Sequence, residues 1–62
     1  MQKEDVMPFL GKNVKLVFGS GFFMNGKIVN VSDEAVFLTT YIGVSAFSLG
    51  NLRNVLLNDK NE

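Results

Sequence analysis

The pattern of apolar and polar positions begins with a helical period. Val6, Phe9 and Leu10 are spaced as on one face of a helix, and Pro8 is tolerated mainly in the first turn of one. The spacing therefore predicts a short N-terminal helix over about residues 2–10.

From Val14 onward the period becomes two, which is typical of half-buried β-strands. Glycines and short polar stretches interrupt this pattern and mark tight turns. Residues 58–62 are polar and are expected to form a frayed tail. The pattern predicts five strands, over residues 14–18, 22–32, 35–41, 44–49 and 52–57.

The longest predicted strand carries Gly26 in its middle. A glycine inside a strand often marks a bulge or a sharp bend at a barrel corner. The alternative is a hairpin turn at Asn25-Gly26, which would split the segment into two very short strands. We favour the bend, because one strand of a small barrel must serve two sheets.

The number of strands indicates a fold class. Five strands in about 45 residues, 13–57, are too few for a sandwich, and closure into a barrel hides most sheet edges. We expect one all-β domain over residues 1–62: a five-stranded, strongly bent antiparallel small barrel with a short N-terminal helix.

Composition narrows the classes of function. The chain has no cysteine and no histidine, so disulfides are excluded and the thiolate and imidazole ligands of transition metals are missing. No phosphate loop or nucleophile motif is present either. We therefore expect no cofactor, no metal and no enzymatic activity, since acid–base catalysis most often uses histidine.

The small size of the chain points to self-association. A domain of 62 residues often needs help from a partner subunit, and 47% of these residues are apolar, with six Phe and three Met. Some of these side chains are expected to face another copy of the chain.

Net charge and hydropathy indicate whether the chain binds nucleic acid or a membrane, and where in the cell it is located. The net charge is zero, whereas dedicated nucleic-acid binders usually carry a basic excess. No apolar run approaches 18 residues, and the polar start lacks the features of a secretory signal. We expect no membrane partner and a cytoplasmic location.

The glycines and apolar positions resemble a known pattern. Gly21 is followed five residues later by Gly26, and then by Ile28 and Val31 at spacings of two and three. After a short loop comes an apolar run, and residues 47–55 then supply a strand, a tight turn and the start of a final strand. From about Val14 to Leu56 the chain resembles the Sm-like superfamily, which includes the bacterial Hfq proteins.

The resemblance implies an Sm-like barrel in a ring of six or seven identical subunits. The fourth strand of one subunit would pair with the fifth strand of the next. It also implies RNA or nucleotide binding at the loops near the pore. The candidate RNA-binding residues are Ser32, Asp33, Gly50, Asn51 and Arg53.

Several positions depart from the family pattern. Ser32 stands where the family has an aspartate, and Asp33 follows one step later. Val36 stands where Sm proteins carry an asparagine that reads uracil, although Hfq is also apolar there. Leu49-Gly50 replaces the Arg-Gly of Sm proteins and lies near the Lys-His position of Hfq. The structural part of the motif is thus present, while the RNA-reading part is mostly absent.

Other roles for the candidate residues stay open. Arg53, the sole arginine, suits phosphate contact or base stacking, but it could equally be a solvated or inter-subunit charge. Asn51 is also a common turn former. Tyr41 could stack on a base or pack at a strand end with its hydroxyl in water.

An alternative function is an oligomeric structural or protein-interaction module that binds no RNA. The consecutive residues Phe22, Phe23 and Met24 cannot all face inward on a regular strand, so at least one should be exposed. A strand bent strongly enough to bury all three is the other possibility.

Overall fold

A computed structural model describes residues 1–58 of the chain. A short helix, α1, spans Lys3–Val6 and continues as a 3₁₀ turn over Met7–Phe9. The predicted tail beyond Asn58 lies outside the described residues. The strands are β1 Asn13–Phe18, β2 Phe23–Val31, β3 Ala35–Thr40, β4 Gly43–Ser48 and β5 Leu52–Leu57, with a second 3₁₀ turn, Leu49–Asn51, before β5.

The N-terminal helix covers one side of the core. The backbone N–H of Gln2 donates to Oδ2 of Asp5 at 3.0 Å, which satisfies one group at the helix start. Pro8 lies at the start of the 3₁₀ turn, where its missing N–H costs nothing. Val6 is fully buried and Phe9 packs against the core.

The five strands form one antiparallel sheet in the order β4-β3-β2-β1-β5. The prediction of an all-β fold with five antiparallel strands and a short N-terminal helix is therefore confirmed. Within residues 1–58 the sheet is open, with β4 and β5 at its two edges. Closure into a barrel stays a prediction.

Strand β2 runs without interruption through Gly26, so the alternative of a hairpin turn at Asn25-Gly26 is wrong. Residues 23–27 of β2 pair with β1, and residues 27–31 pair with β3. A Cβ atom at Gly26 would overlap the carbonyl oxygen of Thr39 and lie 2.8 Å from Cγ of Leu38. The glycine thus lets β3 approach where β2 changes its partner.

Two β-bulges change which residues face the core. The pairing of β2 with β3 shifts between Ile28 and Asn30, which leaves Val29 without a partner. Ile28 and Val31 are consequently both buried although they are three residues apart. The pairing of β1 with β5 shifts in the same way at Arg53. A strict alternation of buried and exposed residues does not predict which side chains face the core beyond each bulge.

The core lies between the sheet and the N-terminal helix. Its residues come from α1, from all strands except β4, and from the turn before β5. No polar or charged side chain of residues 1–58 is buried. The buried residues are Val6, Val14, Leu16, Phe18, Ile28, Val31, Val36, Leu38, Leu49, Leu52 and Val55.

No helix among residues 1–58 has the length and apolar character needed to cross a membrane.

Candidate functional site

The two edge strands expose apolar side chains. Val44 of β4 is 62% exposed, and Leu57 of β5 is 57% exposed. Tyr41 and Ile42, in the turn that precedes β4, are more exposed still. On its outer side, each edge strand also carries backbone N–H and C=O groups that are not hydrogen-bonded to another strand of the sheet. The edges therefore combine open hydrogen-bonding groups with apolar surface.

A groove of about 480 Å³ lies between the β1–β2 turn, the end of β4 and the start of β5. Its aromatic wall is built around Phe18, whose ring centroid lies 5.2 Å from that of Phe47 and 5.8 Å from that of Phe22. Phe22 is about half exposed, so its ring is accessible from the groove. The lining residues are Phe18, Gly19, Ser20, Phe22, Phe47, Ser48, Asn51 and Arg53.

Arg53 gives this groove its positive charge. Its guanidinium packs beside Gly19, where an added Cβ would lie 3.1 Å from Nε of the arginine. The backbone N–H of Gly19 donates to the carbonyl oxygen of Asn51 at 2.9 Å, which ties the β1–β2 turn to the 3₁₀ turn before β5. No acidic side chain within residues 1–58 forms an ion pair with Arg53. The groove thus joins aromatic surface to an exposed guanidinium.

Ser32 serves the β2–β3 turn. Its hydroxyl oxygen accepts hydrogen bonds from the N–H groups of Ala35, at 3.1 Å, and Glu34, at 3.4 Å. Its own N–H donates to the carbonyl oxygen of Ala35 at 2.8 Å. Asp33 lies 3.7 Å from Nζ of Lys3 and is 90% exposed. These contacts are those of a turn former and a surface carboxylate.

The predicted RNA-binding residues fall into two groups. Asn51 and Arg53 line the groove, and Gly50 lies next to it, with its N–H donating to Oγ of Ser48 at 3.2 Å. Ser32 and Asp33 do not line the groove. The carbonyl oxygen of Glu34 accepts a hydrogen bond from the N–H of Leu49, so both turns lie at the same end of the sheet.

Sequence reasoning did not anticipate the aromatic wall of the groove. Phe18 fits the pattern of a core residue on β1, and Phe47 occurs on a different strand. Phe22 and Phe23 are both about half exposed, so the possibility that a bent strand buries them is wrong. Tyr41 is fully exposed in a turn, so the expectation that it packs at a strand end is also wrong.

Phe23 faces a different surface from Phe22. Nζ of Lys15 lies 4.4 Å from the centroid of the Phe23 ring, within the range of a cation–π contact. This pair lies on the outer face of β1 and β2, beside the register pair of Lys15 with Asn25.

Among the described residues, no three acidic side chains lie close enough together to hold a metal ion. No family model, curated protein or solved structure matches this chain.

Proposed function

We propose that the chain is a subunit of an Sm-like homo-oligomeric ring. The observation that carries this proposal is the position of β4 and β5 at the two open edges of one antiparallel sheet. When β4 of one copy pairs with β5 of the next, each addition leaves the same two edges free. Such a head-to-tail contact forms a ring when the rotation between neighbouring copies closes, and this closed arrangement is the one proposed here.

The exposed apolar residues at the edges support this assembly. A domain of this size buries only about 60% of the surface that its unfolded chain exposes. Edge pairing would cover Val44 on one side and Leu57 on the other, and it would satisfy the open backbone groups. The assembly would thus supply stability that disulfides cannot provide in a chain without cysteine.

The finer features of the proposal come from the resemblance. The change of strand partner on β2, next to Gly26, suits the bend of a small Sm-like barrel. The resemblance to Sm-like proteins suggests six or seven subunits.

Substitutions at the edges test the assembly. Val44→Lys and Leu57→Lys each place a charge on an exposed edge position, which disfavours strand pairing between copies. Val29→Lys is a matched control, because Val29 is 45% exposed but belongs to the central strand β2. In light scattering, both edge variants should shift toward the monomer mass while the control keeps the mass of the parent chain. Equal masses for all four proteins would exclude edge pairing.

A second function, the binding of RNA or nucleotides in the groove, is favoured by the chemistry of its walls. Aromatic rings stack on nucleobases, and a guanidinium binds phosphate. Phe22 and Arg53 offer these two groups within one groove. A ring would repeat this site once per subunit, so that a single strand could contact several copies.

Binding of short uridine-rich and adenine-rich RNAs at two salt concentrations tests this second function. Arg53→Ala should weaken binding by about 10- to 150-fold, since a charge-assisted hydrogen bond contributes about 1.5–3 kcal/mol. Lys12→Ala is the control, because it removes the same charge outside the groove. No binding at low salt would favour the alternative, an oligomeric interaction module without RNA.

A further inference from the structure

The charged side chains within residues 1–58 are segregated, although the chain is neutral. Glu4 and Asp5 lie on α1, and Asp33 and Glu34 lie in the β2–β3 turn. The contact between Lys3 and Asp33 joins the helix to this turn. We call these four acidic residues and the neighbouring Lys3 the acidic end. Their side-chain charges sum to −3.

Three lysines lie on or directly beside β1 and β2. Lys27 pairs in register with Asn13, and Lys15 pairs with Asn25, so both lysines belong to the same face of β1 and β2. Lys12 directly precedes β1, and its carbonyl oxygen accepts a hydrogen bond from the N–H of Ile28. Neither β1 nor β2 contains an acidic residue. Lys15 and Lys27, together with Lys12 at the adjoining end of β1, are called the basic face, and their side-chain charges sum to +3.

Neither surface is neutralised within the described part of the chain. The one ion pair among residues 1–58 is that of Lys3 with Asp33, at 3.7 Å. Arg53 lines the groove at the same end of the sheet and forms no ion pair with an acidic side chain of residues 1–58. The remaining charged side chains, at positions 59, 60 and 62, lie outside the described range. The N-terminal ammonium group donates to the carbonyl oxygen of Leu49 at 2.9 Å and adds one positive charge beside the acidic end. The two surfaces therefore keep charges of opposite sign.

We propose that the basic face of one copy docks on the acidic end of another. The charges are complementary, and the zero net charge removes long-range repulsion between copies. Because the two surfaces differ, the contact is head-to-tail and can repeat into stacks. It uses neither β4 nor β5, so it is compatible with the ring and does not depend on it.

Salt concentration separates this contact from edge pairing. The screening length is about 10 Å at 0.1 M salt and about 3 Å at 1 M. Sedimentation velocity should show a species that persists at high salt, and multiples of its mass at low salt. Edge pairing rests on hydrogen bonds and apolar burial and should survive high salt, so the two proposals can fail separately.

Charge-swap variants identify the surfaces. Lys12→Glu with Lys27→Glu makes both surfaces acidic, and Asp33→Lys with Glu34→Lys makes both basic. All four side chains are exposed, so folding should be unaffected. Each double variant alone should lose the low-salt multiples, and an equal mixture of the two should regain them. Lys12→Arg with Lys27→Arg keeps both positive charges and should stack like the parent chain.

Three results would overturn the proposal. The first is the same mass at low and high salt for the parent chain. The second is unchanged stacking by either double variant. The third is a parent chain that does not stack but binds single-stranded RNA in a way that the lysine substitutions abolish, which would assign the basic face to a polyanion.

Discussion

At Gly26 the fold depends on the absence of a side chain. The glycine lies in extended backbone rather than in a turn, and β3 approaches so closely that a methyl group has no room. The sequence indicated that this position is special, and it indicated a long strand. It did not indicate that the constraint is the neighbouring carbonyl oxygen of Thr39, because that contact links distant parts of the chain.

Gly26→Ala should lower the free energy of unfolding by about 1–3 kcal/mol, as overpacking of a tight site does. The matched control is Gly50→Ala, because a Cβ there meets only Oγ of Ser48, at 3.4 Å. The control should change stability by less than about 0.5 kcal/mol. Urea denaturation at one protein concentration measures both. Equal effects would contradict the close approach at Gly26.

The structure also gives a physical reason for two residues that depart from the Sm-like pattern, Val36 and Ser32. Val36 is fully buried, so the apolar residue at this position packs in the core. Ser32 uses its hydroxyl within the turn. Of the predicted site residues, Asn51 and Arg53 are the ones that the fold places together in a groove.

At the scale of elements, both bulges follow the same local pattern. Ile28-Val29-Asn30-Val31 on β2 and Leu52-Arg53-Asn54-Val55 on β5 each bury their first and last residues. In each, the side-chain oxygen of the asparagine accepts a hydrogen bond from the N–H of the following valine, at 2.9 Å and 3.0 Å. The asparagine thus satisfies a backbone group at the irregular point of the ladder.

Asn30→Ala and Asn54→Ala should each cost about 1 kcal/mol of stability, because each leaves that N–H without its acceptor. Asn→Asp at the same positions keeps the oxygen and should retain most of the stability. Thermal unfolding of the four variants checks this expectation. Aspartate variants as unstable as the alanine variants would show that the hydrogen bond contributes nothing.

Strand positions were more predictable than strand facing. The five predicted strands agree with the observed ones to within one residue at each end, since turn residues mark their limits. Their facing beyond each bulge was not predicted, because one inserted residue reverses the alternation. One four-residue motif occurs at both bulges: an apolar residue, then any residue, then asparagine and valine. Its recurrence is the sequence signal that could have indicated both bulges.

At the scale of the whole molecule, function depends on surfaces that the linear pattern does not show. The groove joins three separate segments, and its aromatic residues each fit an ordinary strand pattern. The charge count is zero, whereas the fold sorts the charges into an acidic end and a basic face. The strand order places β4 and β5 at the open edges, the two strands through which the Sm-like resemblance implies pairing between subunits.

Light scattering of the unmodified chain at micromolar concentration and high salt tests the central claim most directly. High salt suppresses the charge-based stacking, so the mass reports edge pairing alone. Edge pairing into a closed ring predicts a single species of six or seven times 6.9 kDa. A monomer of 6.9 kDa under these conditions would contradict it.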